Sequence, residues 1–564
     1  MIANFLKIIF ICFLFFSQNV SYSQSFYKNK FSGSTLTNYF SALMYLNKNQ
    51  SAKALNHFNS SKILKESHKN YLNKYILTLI SEGKIKRAIH EIKTTNNKKF
   101  STFYEADLLL VLDNLVKKNY EKSLFYVSLL KKHESNSSTE LIIANTLESY
   151  LKFFNNNDMS LEQLDNFGNL TTINKAFLSC YAEKNTTELL FENIINSLDG
   201  DYSRYIFFYS NYLISQNKLI KAANLVNDLD LLSSSLLVTQ TQNWIYQKKI
   251  KNIQNIFSCK NPNDLVGEFF FLISNLYSND ENYNKSNLYL NISNFLNPKF
   301  KFNLSLLAEN YAEEKKFKKV KKILNNFSGK DDVYYWYAIK KEALIILEEE
   351  GEKNAFNFIN SKFEKIKNPS IKIIFDMGNI SKNMKKYDLA INFYSDLLLK
   401  LNLGSWNYSE VLYRRGSSYE RLGNYEKADA DLLKSIDINP NDAYSLNYLA
   451  YSWLERNFRI DDAIKMLNIA YKEKPNDPYI LDSIGWAYYM VEDFEKAEYF
   501  LRQAVQLMPD DPIVNDHYGD ILWKLNRKIQ ANYFWKNVLQ IDETEDEMKN
   551  NINEKLIFGP KNIS

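Results

Sequence analysis

LDSIGWAYYMVEDFEKAEYFLRQAVQLMPDDP, residues 481–512, carries the pattern that decides the fold. Leu481, Ile484, Tyr488 and Val491 fall on one face of a helix, and FEKAEYFLRQAVQLM (494–508) repeats the same period in a second run. A polar turn, EDF (492–494), separates the two, and Pro509 stops the second helix because it cannot continue the hydrogen-bond ladder. Gly485 and Ala497 are small where the two helices would cross. A mid-helix glycine costs about 1 kcal/mol against alanine. Its presence therefore points to a crossing too close for a larger residue.

Stepping outward from Ala497 shows that the segment is one copy of many. Ala531 lies ahead, and Ala463, Ala428, Ala390, Ala355, Val320 and Ser286 lie behind, mostly at intervals of 34 or 35 residues. Ala222, Ser123, Ala88 and Ala54 hold the same local context further upstream. The step from Ala390 to Ala428 is 38, with LGSW (403–406) in the longer loop. A second small residue recurs twelve positions earlier as Gly378, Gly416, Gly485 and Gly519, with Ala308 and Ala42 before them. Pro440 and Pro475 repeat the stop at Pro509.

At these residues the chain resembles the tetratricopeptide repeat family. Residues 478–511 supply Leu481, Ile484, Gly485, Tyr488, Ala497, Leu501, Ala504 and Pro509 at the family's offsets. Residues 409–442 supply Leu412, Gly416, Tyr419, Ala428, Leu432 and Pro440, with Arg415 departing from the apolar pattern. Residues 443–477 supply Leu446, Leu449, Ala450, Trp453, Ala463, Leu467, Ala470 and Pro475. In 512–545 Asn515 and Glu543 are off pattern. The resemblance implies an all-α superhelical solenoid of about a dozen antiparallel helix pairs, each touching only its neighbours. The expected organisation is a signal peptide at 1–23, degenerate repeats over 24–368, and well-matched repeats over 369–545 (371–404, 409–442, 443–477, 478–511 and 512–545). A capping helix and tail follow at 546–564. Residues 139–200 and 235–262 fit the repeat worst and read as helix pairs with altered turns.

Composition agrees with this class. At 564 residues the chain exceeds one ordinary core, and 14 glycines with 9 prolines are too few for a turn-rich sheet protein. The net charge of +5 divides unevenly: residues 401–564 hold 27 acidic and 19 basic side chains, leaving 38 and 51 to the rest. The basic excess upstream is dispersed, whereas a nucleic-acid site concentrates it on one face, so no nucleic-acid partner is expected. MIANFLKIIFICFLFFSQNVSYSQS opens with Lys7, an apolar run from Ile8 to Phe16 and the small–x–small Ser21-Tyr22-Ser23. That is the layout of a secretory signal peptide cleaved before Gln24, with an uncleaved anchor as the alternative. Ile11 before Cys12 argues against lipid attachment, and no later apolar run spans a bilayer as a helix. Cys180 and Cys259, 79 residues apart, are expected to lie two repeats apart and unpaired.

No reaction chemistry is spelled out. His57, His68, His90, His133 and His517 form no HExxH pattern, His90-Glu91 runs on into Ile-Lys-Thr, and there is no phosphate loop or nucleophile elbow. Acidic pairs such as Asp461-Asp462 and Asp510-Asp511 read as helix caps. No catalytic residue, metal or cofactor is expected. The resemblance implies instead a groove lined by the first helix of each pair. Its inward offsets fall on Tyr413, Ser417, Asn447, Tyr451, Asp482, Trp486, Tyr489, Asp516, Asp520 and Trp523. The set is aromatic and acidic and suits a basic or aromatic peptide; the alternative is that Trp486 and Trp523 pack between helices. The C-terminal block also resembles bacterial envelope members of the family that act as adaptors. The expected function is an exported, periplasmic, non-enzymatic scaffold, peripheral to the outer membrane. Its partners would be an envelope protease, a cell-wall hydrolase or an export component. The competing function is a spacer subunit of a secretion or polysaccharide-export machine.

Overall fold

A computed structural model describes residues 32–560 apart from 69, 134–136, 157–159, 198–202, 228, 231, 233, 328–331 and 543. The expected signal peptide and Cys12 lie outside the described residues, as does Glu543. Among the described residues there are thirty α-helices and no strand. None of these helices is long and apolar enough to cross a membrane. The chain divides into two compact units, Met1–Leu229 with Ser234–Glu349, and Asp230–Ser233 with Glu350–Ser564.

The C-terminal unit follows the repeat closely. Its helix pairs include Ile371–Asn383 with Tyr387–Leu398, Trp406–Arg421 with Tyr425–Ile438, and Ala443–Glu455 with Ile460–Glu473. Pro478–Met490 with Phe494–Leu507, Pro512–Lys524 with Lys528–Gln540 and a last helix, Asp546–Phe558, complete the series. Asp442, Asp477 and Asp511 cap successive first helices, each carboxylate accepting from two backbone N–H groups of the opening turn. The recurring glycines sit where helices cross. A Cβ on Gly378, Gly416, Gly485 or Gly519 would lie 2.6, 2.9, 2.6 or 2.4 Å from the side chain sixteen residues on: Tyr394, Leu432, Leu501 or Trp535. Departures from the pattern have local reasons. Arg415 binds Asp431 bidentately (2.7 and 2.8 Å), and buried Asn515 donates to the carbonyls of Pro509 (2.8 Å) and Asp511 (2.7 Å).

The N-terminal unit repeats the same turn with less regular packing. Asn49, Gly83, Lys118, Glu183, Asn217, Lys248, Glu281 and Lys315 all adopt positive φ between paired helices, as Lys385, Gly423, Asn457, Glu492 and Asn526 do in the other unit. The expectation that each pair touches only its neighbours fails here. Tyr71–Ser81 packs against Tyr283–Leu296, and Pro262–Asn279 packs against both Tyr104–Val116 and Ser138–Asn156. Lys319 Nζ bonds Ser51 Oγ (2.9 Å) and Glu82 Oε1 (3.0 Å), closing the unit on itself. The cause is legible in two helices: residues 106–112 and 265–271 are buried on every side and apolar except for Asp107 and Glu268, which pair with His133 and Arg204, and such a helix must be covered all round.

The cysteine expectation is also corrected: Cys180 and Cys259 form a disulfide, with Cα atoms 5.9 Å apart. The short helix Ile250–Ile256 lets the chain turn back early. Phe257 then packs on Phe177 and Phe208 at ring distances of 5.8 and 4.6 Å, and Asn211 Nδ2 donates to the carbonyls of both Ile253 and Phe257. Separation along the chain is therefore a poor measure of distance in this stretch.

Candidate functional site

In the C-terminal unit the first helices of successive pairs pack in a row and form one wall. One end of the wall is cationic. Lys382 donates to Ser417 Oγ and lies near the rings of Tyr413 (5.8 Å) and Tyr448 (6.0 Å). Burial, with Arg414 and Arg421 nearby, lowers its pKa to about 8. Ser417 is fully buried by these contacts and offers nothing to a partner. Tyr413 packs edge-on against Tyr448, and burial pushes its pKa up to about 12.

The middle of the wall opens into a cleft of about 500 Å³. Its lining includes Asn447, Tyr451 and Asp482, together with Glu420, Tyr448, Ser452, Glu455, Tyr479 and Asp511. Glu420 accepts from Tyr448 Oη (2.8 Å), and burial with Glu455 alongside pushes the Tyr451 pKa up. Asp482 is buried and accepts from His517 Nδ1 (3.0 Å). Trp486 is half-buried, stacked on both His517 (4.1 Å between ring centres) and Tyr489 (4.8 Å). It therefore forms part of the wall as well as part of its surface. Tyr489 faces the core, 1% exposed.

The far end is acidic and already occupied by the chain itself. Lys555, on the last helix, places its ammonium 2.7 Å from Asp516 and 2.8 Å from Asp520. Burial, reinforced by Asp516, raises the Asp520 pKa to about 6 even with Lys555 opposing the shift. Trp535 Nε1 also donates to Asp520 (3.2 Å). Trp523 is half-buried against Trp535, and Gly559 lies so close that a Cβ there would sit 2.5 Å from the Trp523 ring.

Sequence reasoning missed two contributors. His517 lacks any metal-binding motif, but it follows Asp482 by 35 residues, one repeat length, which sets the two side by side on neighbouring first helices. Lys555 was hidden because its helix carries no repeat pattern. Among the described residues no cluster of His, Cys, Asp and Glu is arranged to hold a metal ion.

Stacked helix pairs presenting one polar, aromatic wall define a helical-repeat scaffold of the protein-interaction class. The family model of the tetratricopeptide repeat matches residues 409–442. A tetratricopeptide repeat-containing protein of Pseudomonas aeruginosa is 36% identical over 96 residues, which are 17% of this chain and 16% of that one. The chain thus carries a tetratricopeptide repeat at residues 409–442 and is similar, over part of its length, to proteins built from that repeat. It spans about a sixth of the length of that relative. Two solved tetratricopeptide structures are also similar over part of the chain. The one from Parabacteroides merdae is 16% identical, covering 44% of this chain and 96% of its own, with a TM-score of 0.36. The one from Thermus thermophilus is 18% identical, covering 34% and 100%, with a TM-score of 0.30.

Proposed function

We propose that the protein is an exported, non-enzymatic scaffold that holds a segment of a protein partner along the first-helix wall of its C-terminal unit. The observation that carries this reading is the cleft itself: about 500 Å³, open, and built from four consecutive repeats. Tyr479 and Ile513 in its lining, with Tyr444 one repeat earlier outside it, recur at one-repeat intervals and are 58%, 45% and 46% exposed. Exposed apolar side chains in register with the repeat suit an extended segment, and aromatic anchors supply much of the binding energy of an interface. Export to an oxidising compartment is supported by the apolar N-terminal segment and by the Cys180–Cys259 disulfide, a bond that persists in such compartments. An envelope protease, a cell-wall hydrolase or an export component is the partner class that this location suits.

Photocrosslinking in cells tests the reading. Benzoylphenylalanine in place of Asn447 or Tyr479 is expected to capture a discrete partner, whereas the same probe at Tyr499 or Tyr533, exposed on second helices, captures none. Capture from the second helices alone would overturn the groove and favour a spacer subunit of an envelope machine.

A further inference from the structure

The cleft has an uneven set of polar groups. Its carboxylates are Glu420, Glu455, Asp482 and Asp511, and its cations are Arg421 and Arg456. Both cations are already claimed. Arg456 reaches Asp429 at 2.7 Å and stacks over the Tyr425 ring at 4.6 Å, while Arg421 lies 3.7 Å from Glu420. Asp482 is answered by His517, and Asp511 caps its helix. Glu455 makes no ion pair among the described residues.

Two further groups await a partner. Among the described residues the Asn447 side-chain oxygen and Ser452 Oγ are buried with no hydrogen-bond partner, and Ser452 is only 5% exposed. An unpaired buried polar group costs about 1–3 kcal/mol. A ligand that brings donors into the cleft recovers that cost. Tyr425, Tyr448, Tyr451 and Tyr479 line the same space, and aromatic rings attract cations.

One repeat further along the wall, the chain shows what such a surface holds. Lys555 is seated between Asp516 and Asp520. The cleft also sets carboxylates beside aromatic rings; Arg421 lies at Glu420 and Arg456 turns to Asp429, which leaves Glu455 without an ion pair among the described residues.

Building on the groove reading above, we infer that the cleft is a subsite for an arginine or lysine side chain of the partner segment. Glu455 supplies the charge, with Glu420 beside it shared with Arg421, Asn447 and Ser452 the remaining polar contacts, and the tyrosines the stacking surface. Flanking apolar residues of the segment lie on Tyr444, Tyr479 and Ile513.

The test uses the full chain and two fluorescein-labelled heptapeptides, Ser-Leu-Ser-Arg-Ser-Leu-Ser and its counterpart with citrulline in place of arginine. Citrulline keeps the shape and removes the charge. Anisotropy titrations are expected to show the arginine peptide binding about tenfold more tightly, the effect of one charge-assisted contact. The ratio should fall to about one in the Glu420→Gln/Glu455→Gln variant, checked by its unfolding midpoint to be folded. Equal binding of the two peptides to the unaltered protein, or a ratio indifferent to the double substitution, overturns the basic subsite. Failure to bind either peptide overturns it as well. In each case a crosslink from Asn447 would leave the groove itself standing, so the two readings fail separately.

Discussion

At each glycine crossing in the C-terminal unit the contact is the same, a glycine meeting the side chain sixteen residues on. In the N-terminal unit the corresponding positions hold Ala42, Ile76, Val111, Ser210, Ser274 and Ala308, all buried. Four residue types, from Ala to Ile, at one structural position cannot all set the same helix spacing. That unit is instead tied across long stretches of chain. Arg204 grips Glu268 bidentately (2.7 and 2.6 Å) and Asn303 (2.8 Å) inside a ring of Phe208, Phe271, Phe300 and Phe302. Lys62 and Lys65 converge on buried Glu91, and the disulfide and the Lys319 contacts do similar work elsewhere. The difference teaches that one repeat plan tolerates two kinds of stabilisation, uniform local crossings or a few specific long-range ties.

The largest effect is expected from cutting a tie. Arg204→Met leaves Glu268 buried and unpaired, which should cost about 3–5 kcal/mol, while Arg204→Met with Glu268→Leu should restore most of it. Denaturant unfolding followed on the N-terminal unit checks this, and equal losses in the single and double variants would break the contrast between ties and crossings. Next comes the crossing itself. Gly485→Ala forces a Cβ to 2.6 Å from Leu501 and should destabilise the C-terminal unit by about 1–3 kcal/mol, despite alanine's better helix propensity. A stabilised variant would mean that the glycine is not needed for close approach.

The smallest effect is a pH dependence that separates the units. Burial alone would lower the His517 pKa, but Asp482, with Asp516 and Asp520, outweighs it and the net shift is upward from 6.5. A raised histidine contributes stability that is complete below about 6.5 and is lost as pH rises through the folded value. Asp520, raised from 3.8 to about 6, acts in the same direction at lower pH, its contribution being lost as pH rises towards 6. Glu91 in the N-terminal unit is opposed by burial yet held below 4.5 by Lys62 and Lys65, so its contribution is present above that value and lost only on stronger acidification. Melting at pH 6 and 8 should therefore show the C-terminal unit more stable at pH 6, with His517→Gln shrinking the difference. An unchanged difference in that variant would remove His517 from the account.

The regular half was legible because its crossings demand particular residues: only glycine fits at Gly485, and Ala390, Ala428, Ala463, Ala497 and Ala531 have no exposed surface. The degenerate half keeps the register in its turns, where Gly83 stands among Asn, Lys and Glu at positive φ, but its crossing positions hold Ala, Ile, Val or Ser and leave no glycine there to count. Ring closure and the disulfide depend on how small rotations add up over many repeats, and spacing along the chain does not report that sum. The groove was legible in outline, since inward offsets led to Asn447, Tyr451 and Asp482. The same offsets also led to Ser417 and Tyr489, which neighbouring helices bury, and to Asp516, Asp520 and Trp523, which the last helix covers. Offsets within one repeat say which way a side chain leaves its helix, not what the next helix brings to meet it.

The proposed binding surface is the first-helix wall of the C-terminal unit. Hydrogen exchange of the full chain, alone and with the partner captured by the Tyr479 crosslink, tests that most directly. Added protection is predicted in Trp406–Arg421, Ala443–Glu455 and Pro478–Met490, with second helices such as Phe494–Leu507 unchanged. Protection confined to second helices, or to the N-terminal unit, would contradict it.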